Sequence, residues 1–227
     1  MRNLLFPMKT CNNYSSILMF GILLTVFLVS CSNNTKKAYW KSGKLQSEVH
    51  YKNGIMDGDA IWYFENGNIQ QKLTYQDGKI NGEVKRFYDN GNLESVSHYK
   101  MGLLDGAALT FDTEGNKIGE ENFINDTLDG TVSKYYSDGE PQMTGSYYKG
   151  LFQGRWVYYD VYGNIVGSAN YDKGNGVLKG WWPNGKLKRE INYKNNLKHG
   201  PEKHFDAEGK LEKLLIYNDG VLVQAGN

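Results

Sequence analysis

Gly58-Asp59-Ala60-Ile61-Trp62-Tyr63-Phe64-Glu65-Asn66-Gly67-Asn68-Ile69-Gln70-Gln71-Lys72-Leu73-Thr74-Tyr75-Gln76-Asp77-Gly78 is one unit of a pattern that fills most of this chain. Residues 60–65 and 69–76 are rich in aromatic and β-branched types, which suit strands, and Asn66-Gly67 between them signals a hairpin. The glycine of that turn returns at Gly43, Gly67, Gly91, Gly115, Gly139, Gly163, Gly185 and Gly209. The spacing is 24 residues except for one interval of 22, between Gly163 and Gly185. An aromatic stands four residues before each glycine, from Tyr39 and Tyr63 to Trp181 and Phe205, and another eight residues after, from Tyr51 and Tyr75 to Tyr193 and Tyr217. A fixed period of about 20–50 residues marks a repeat array rather than one globular core. The residue before the glycine varies (Ser42, Asn66, Glu114, Tyr162), so a positive φ, which glycine adopts without penalty, is expected at the glycine itself.

A second connection repeats as Lys52-Asn53-Gly54-Ile55-Met56-Asp57-Gly58 and Gln76-Asp77-Gly78-Lys79-Ile80-Asn81-Gly82. Two glycines four apart punctuate a reversal into the next strand. Each unit therefore reads strand, turn, strand, glycine-rich turn, and no helix is expected after residue 38. Period-2 alternation places residues two, six and eight after the glycine on one face, as in Leu45/Val49/Tyr51 and Leu187/Ile191/Tyr193. Ser97, Lys117 and Glu121 interrupt that apolar column, so a weaker stretch is expected near residues 110–125. The missing two residues near Gly174-Asn175-Gly176-Val177 predict a kink or a shortened turn.

These units, with Tyr-Lys-Asn-Gly and Tyr-Phe-Glu-Asn-Gly at fixed places, resemble MORN repeats, and among them the bacterial variant described as a toxin–antitoxin antitoxin component. The resemblance runs from Tyr39 to about Val223. It implies an all-β fold: an elongated, single-layer, twisted antiparallel sheet of about eight 24-residue hairpin repeats over residues 39–227.

The N-terminus belongs to another physical class. Arg2 and Lys9 precede an apolar stretch from Ile17 to Val29, shorter than the ~20 residues of a membrane span, which reads as a secretory signal. Leu28-Val29-Ser30-Cys31 resembles the lipobox of bacterial lipoproteins. That resemblance implies a lipoprotein signal peptide over residues 1–30, lipid on Cys31, and a polar tether over residues 31–38. An ordinary signal or a single-pass anchor is the alternative, and Met8 is a second possible start. The expected location is the bacterial cell envelope, on the periplasmic or outer-membrane side. Without residues 1–30 the chain keeps Cys31 as its one cysteine, so no disulfide is expected.

Charge selects no ligand: 26 basic and 25 acidic residues are interspersed, with no basic stripe for nucleic acid. His50 and His98 share a slot that elsewhere holds Thr74, Asn122, Ser146 and Asn170, which reads as a solvated strand face. His199 and His204 lack a carboxylate at ligand spacing. Asp57, Asp105 and Asp129 alternate with Asn81, Gln153 and His199, as turn residues do. Gly174-Asn175-Gly176 has no helix after it to bind phosphate. Catalytic residues, metal ligands and cofactors are accordingly expected to be none.

Aromatics remain. Trp181 falls in the repeated column with Tyr159 and Phe205. Trp182 aligns with Phe64, Tyr88 and Tyr136, but also with Asp112, Asp160 and Asp206. A slot that takes both tryptophan and aspartate reads as open to solvent, so Trp182, Phe64, Tyr88 and Tyr136 are the candidate partner-binding residues. The expected function is non-enzymatic binding of a protein partner, a toxin or an envelope protein, at a membrane reached through Cys31. The alternative is an envelope scaffold that binds polysaccharide, peptidoglycan or lipid. Cys31→Ala should abolish metabolic labelling with palmitate and stall processing; labelling that persists would remove the lipobox reading.

Overall fold

A strand whose neighbours are its chain neighbours needs only tight turns, and this chain builds its whole sheet that way. The computed structural model describes residues 33–226. The leader over residues 1–30 and Cys31 lie outside them. Among the described residues eighteen strands form one antiparallel sheet, from Asn33–Tyr39 to Val221–Gly226, and with one exception each pairs with its neighbours in the chain. Lys79–Ile80 and Gly82–Phe87 share one partner, Ile69–Gln76, so they occupy one place in the order. At ~4.8 Å per strand the sheet is about 75–80 Å across.

Residues 33–38 correct the tether. They form a strand paired with Leu45–Lys52, register Lys36↔Val49. Their polar composition hid this, yet the strand saturates an otherwise open ladder. Lys37 pairs with Glu48 at 2.5 Å, and Lys36 lies 4.2 Å from the centre of the Tyr51 ring.

The two kinds of turn are chemically distinct. In the first, Gly67 donates to the Phe64 carbonyl (2.9 Å) and Phe64 to that of Asn68 (2.8 Å). This is a type I turn closed by a left-handed glycine, φ +99° at Gly67 and +92° at Gly91. The expectation of a positive φ at the glycine holds. The second connection carries the two-residue hairpin, with both central residues left-handed: Asn53 and Gly54 (φ 53° and 82°), then Asp77 and Gly78 (48° and 76°). The second glycine of that connection, Gly58 or Gly106, sits in a bulge where two extra residues enter the strand between Val49↔Ala60 and Tyr51↔Met56.

One row runs the length of the sheet on one face. Val49, Ala60, Leu73, Val84, Val132, Trp156, Ala169, Leu178, Ile191 and Leu215 in it are buried, Ala60 completely at 0% exposure. In a single layer only side chains of the flanking rows can cover this row, and Trp62, Tyr75, Tyr147 and Tyr158 do so. The row forms two buried clusters, one from Val49 to Val84 and one from Val132 to Ile191. Ser97, Ala108 and Glu121 stand between them in register, where the sequence interrupts the column.

Residues two after the turn glycine do not share that face. The register skips a residue beside each first turn (Trp62↔Gln71, then Tyr63↔Ile69) and so reverses the alternation. Lys117 accordingly reaches Glu120 (3.0 Å) and the Tyr135 ring (4.6 Å), on the opposite face from Glu121.

The two-residue deletion shortens no turn. Lys173 and Gly174 still make the two-residue hairpin (φ 47° and 78°). What disappears is the bulge: Ala169↔Leu178, Asn170↔Val177 and Tyr171↔Gly176 run without a break. Beside this straightened strand Tyr147, Phe152, Trp156, Tyr171 and Tyr193 form a network of edge-to-face and tilted pairs with ring centres 4.9–6.2 Å apart. Burial pushes the Tyr171, Tyr158 and Tyr193 phenols up, so they stay neutral.

Gly91→Val should lower stability by more than ~1 kcal/mol, since a β-branched residue is strained at positive φ and the added Cβ would gain only an ordinary contact with Asn68 Nδ2 at 3.7 Å. An unchanged denaturation midpoint would show the turn to be misassigned.

Candidate interaction surface

Hairpin tips carry the polar chemistry of the array. The candidate residues Phe64, Tyr88, Tyr136 and Trp182 open the first turns and recur in one row, but the row is half-buried, not open to solvent. Tyr88 donates its hydroxyl to the Phe111 carbonyl (2.8 Å), Tyr136 to that of Tyr159 (2.9 Å), and Trp182 its indole N–H to that of Phe205 (3.1 Å). Each reaches the hairpin of the next repeat. Aspartates in the same slot close their own turn instead: Asp112 Oδ1 accepts from the Glu114 and Asn116 amides, and Asp206 Oδ1 from those of Glu208 and Lys210. The aromatic–aspartate alternation thus reflects two ways of satisfying a turn. Asparagine before the glycine does a similar job, Asn66 donating to the Asp89 carbonyl (2.8 Å) and Asn184 to that of Ala207 (2.8 Å).

At the other margin an acceptor slot does the stacking. Asp57 accepts the Asp77 amide, Asn81 that of Met101, Asp129 that of Lys149, and Gln153 that of Lys173, at 2.9–3.2 Å. Acid and amide serve alike because only an acceptor oxygen is needed. The His50 slot is solvated, with His50 and His98 exposed, and it also has a bonding task. His50 Nδ1 lies 2.7 Å from the Asp59 carbonyl and His98 Nδ1 3.0 Å from that of Ala107, while Asn122 and Asn192 donate to the equivalent carbonyls of Thr131 and Pro201 and Ser146 to that of Gln153, two residues earlier in its bulge. Every one of these side chains can be a donor, which is why they interchange.

One tip breaks the pattern. Seven first turns carry at least one polar or charged residue just before the glycine pair, such as Glu65-Asn66, Ser137-Asp138 and Ala207-Glu208. The sixth carries Val161-Tyr162, exposed by 56% and 86%, with Ile165 and Val166 also exposed after the turn. Its backbone is ordinary: Asp160 Oδ1 accepts from the Tyr162 and Asn164 amides at 2.9 Å. An apolar group this exposed serves nothing within the array. The variety of residues before the glycine points to a backbone requirement at the glycine and so masks Tyr162, although Val161-Tyr162 is, tyrosine aside, the one turn pair without a polar or charged residue.

Residues 33–53, 56–77, 80–101, 128–149, 175–195 and 198–219 each match the MORN repeat variant, together more than half of the chain. The chain belongs to the MORN repeat variant family. That family is a non-catalytic repeat module. No curated protein matches the chain. Among solved structures, a Photorhabdus luminescens Tc holotoxin pore is similar over 82% of this chain at 11% identity, with a TM-score of 0.20. This chain spans 12% of that one.

A buried charge group sits in the last full MORN unit. Glu202, 5% exposed, occupies the row otherwise held by Ala60, Val84, Val132, Trp156 and Leu178, and faces Ile191 and Leu215. Lys198 Nζ lies 2.6 Å from its Oε2 and His204 Nε2 2.8 Å from its Oε1. Lys198 itself stands where other units carry Met56, Ile80 or Leu104, and its Nζ is 4.9 Å from the centre of the Tyr217 ring. Burial works to raise the Glu202 carboxyl, and the Lys198 and His204 hydrogen bonds outweigh it, leaving the group below its ordinary 4.5. His204 therefore hydrogen-bonds within the polar cluster around Glu202, whose carboxylate stands two residues away on the same strand. Among the described residues no three His, Cys, Asp or Glu side chains gather as a metal site.

A carboxyl depressed in the folded state stabilises above its unfolded pKa, and that contribution is lost as pH falls through the folded value. Stability should thus drop on acidification below about pH 4.5. The pair Lys198→Met with Glu202→Leu, which restores the slot's apolar pattern, should keep neutral-pH stability and flatten that acid limb. Lys198→Met alone, which takes from the buried Glu202 carboxylate its lysine partner, should cost about 3 kcal/mol. Denaturant titrations at neutral and acid pH measure all three.

Proposed function

We propose that this MORN array is a non-enzymatic, lipid-anchored binding protein of the bacterial cell envelope, whose partner is a protein. The anchor is Cys31, through the lipobox-like Leu28-Val29-Ser30-Cys31. The observation that carries the reading is the exposed apolar pair Val161 and Tyr162, in a set of first turns whose other members each carry a polar residue before the glycine. Exposed apolar groups of this size on a water-facing protein mark contact sites, and tyrosine is among the residues that anchor interfaces. In this proposal Trp182, Phe64, Tyr88 and Tyr136 support the surface by holding successive hairpins in register, and Tyr162 makes the contact. The biological version we favour is neutralisation of a cognate toxin, as an antitoxin or immunity protein.

A photo-crosslinking amino acid in place of Tyr162, in the full chain and in its own cells, should yield one discrete protein adduct. The same probe in place of Ser42, at a polar tip, should not. Val161→Asp with Tyr162→Asp should remove the adduct partner from co-purification, with stability changed by no more than about 0.5 kcal/mol, as for other surface substitutions. Equal adducts at both tips, or none at residue 162, would refute the proposed surface. The identity of the adduct separates a toxin from an envelope protein.

A further inference from the structure

The straightened strand leaves a polar group without its structural task. In four bulged repeats the side chain seven residues after the turn glycine lies 2.7–3.0 Å from the carbonyl just past the bulge glycine, as for His50, His98, Asn122 and Asn192, while Ser146 reaches the Gln153 carbonyl (2.6 Å) and Thr74 the Asp59 carboxylate (3.0 Å). Asn170 occupies that slot in the repeat that lacks the bulge. Val177, whose counterparts present that carbonyl, sits in regular register opposite Asn170. The exposed Asn170 amide has no hydrogen-bond partner among the described residues.

The same face is hollowed there. Ser168, Asn170, Val177, Lys179 and Trp181 line an open depression of about 450 Å³. This lies within the ~300–1,000 Å³ of small-ligand sites. Trp181 is the one tryptophan in a column that otherwise holds tyrosine or phenylalanine, from Tyr39 to Phe205. It presents a broad, half-exposed ring at the edge of the hollow. Lys179 brings no free charge for an anion, because its Nζ lies 3.7 Å from Glu190 Oε2, a carboxylate that Lys203 approaches as well.

From this we infer that the depression over the shortened repeat is a binding site for a neutral oligosaccharide. A pyranose ring has a flat face of C–H groups that matches an indole, and a rim of hydroxyls that both donate and accept. Trp181 supplies the platform, and the rim meets the Asn170 amide, the Ser168 hydroxyl and the Lys179 ammonium. The openness of the hollow suits a chain that crosses the sheet rather than a ligand that must be enclosed. The site shares no residue with the Tyr162 tip, which lies in the turn just before the strand of Ser168 and Asn170, and does not depend on the protein-partner proposal.

The test uses the full chain in a detergent without a sugar headgroup, titrated with cellotetraose, chitotetraose and maltotetraose. Saturation-transfer NMR reads the sugar, and tryptophan fluorescence reads the platform. At least one tetrasaccharide should bind saturably. Trp181→Phe, which keeps an aromatic that the column already tolerates, and Asn170→Ala, at an exposed position, should each weaken it by about fivefold to tenfold. Trp182→Phe should leave sugar affinity unchanged, as should Tyr162→Asp. The proposal falls if none of the three sugars binds, or if binding is indifferent to both Trp181→Phe and Asn170→Ala while those variants melt as the parent does.

Discussion

A single-layer sheet has no second layer to receive what its turns leave unsatisfied, and the whole array is organised by that constraint. Each tip is completed by the next: Tyr136 reaches the Tyr159 carbonyl, Asn66 that of Asp89, and Asp129 receives the Lys149 amide. These partners lie 20–23 residues apart in sequence, so order passes from repeat to neighbouring repeat. Cooperativity of this kind makes stability approximately a sum of unit and interface terms. It also explains how weak units survive. The stretch at Ser97, Ala108 and Glu121 contributes little buried apolar surface, yet it is clamped on both sides by tip bonds such as Asn90 to Thr113 and Leu104 to Asp126.

The same constraint explains why the array tolerates its deletion. Side chains alternate with a period of two, so losing two residues leaves every later side chain on its proper face, whereas losing one would invert them all. The buried row accordingly continues through Ala169, Leu178 and Ile191. The tips cannot be indifferent in this way, because the straightened strand alters the spacing along the margin. Asn196 repairs that margin: its Oδ1 accepts the Phe152 amide (2.8 Å) and its Nδ2 donates to the Gly150 carbonyl (2.8 Å), across two repeats. A glycine at 196 would match the ordinary hairpin pattern but could do neither.

Much of this was legible in the sequence, and what was not has physical causes. Positive φ at Gly67 and Gly91 follows from the invariance of one position within the chain itself, and the buried row from Val49, Leu73 and Ile191. The turn type at Asn66-Gly67 misleads because asparagine and glycine serve two backbone geometries, and only the backbone bonds between Phe64, Gly67 and Asn68 show which one operates. The tip role of Trp182 and Tyr88 depends on a partner 23 residues away, a distance at which local pattern says nothing. Residues 33–38 look like tether because lysine and asparagine are poor strand formers, but an open ladder beside them decides the matter. Glu202 could have been found: it is a carboxylate in a slot whose other members are apolar.

Repetition supplies an internal standard, and the informative residues are those that break it without a structural reason. By that measure Trp182 and His50 drop out, since aspartate, asparagine or serine does their work elsewhere in the array. Tyr162 and the pair Trp181 with Asn170 remain, and both fall between residues 161 and 182. The larger of the two buried clusters, with its network from Tyr147 to Tyr193, lies directly against that segment. Trp156 sits so close to Gly145 that any side chain there would collide with its ring, which fixes the indole in one place. Tight packing of this kind rigidifies the strands beneath while the tip and the hollow above stay open. A surface that must bind without first ordering itself loses less entropy on contact. The best-packed part of the array is therefore where an exposed tyrosine and a free amide can most effectively hold a ligand.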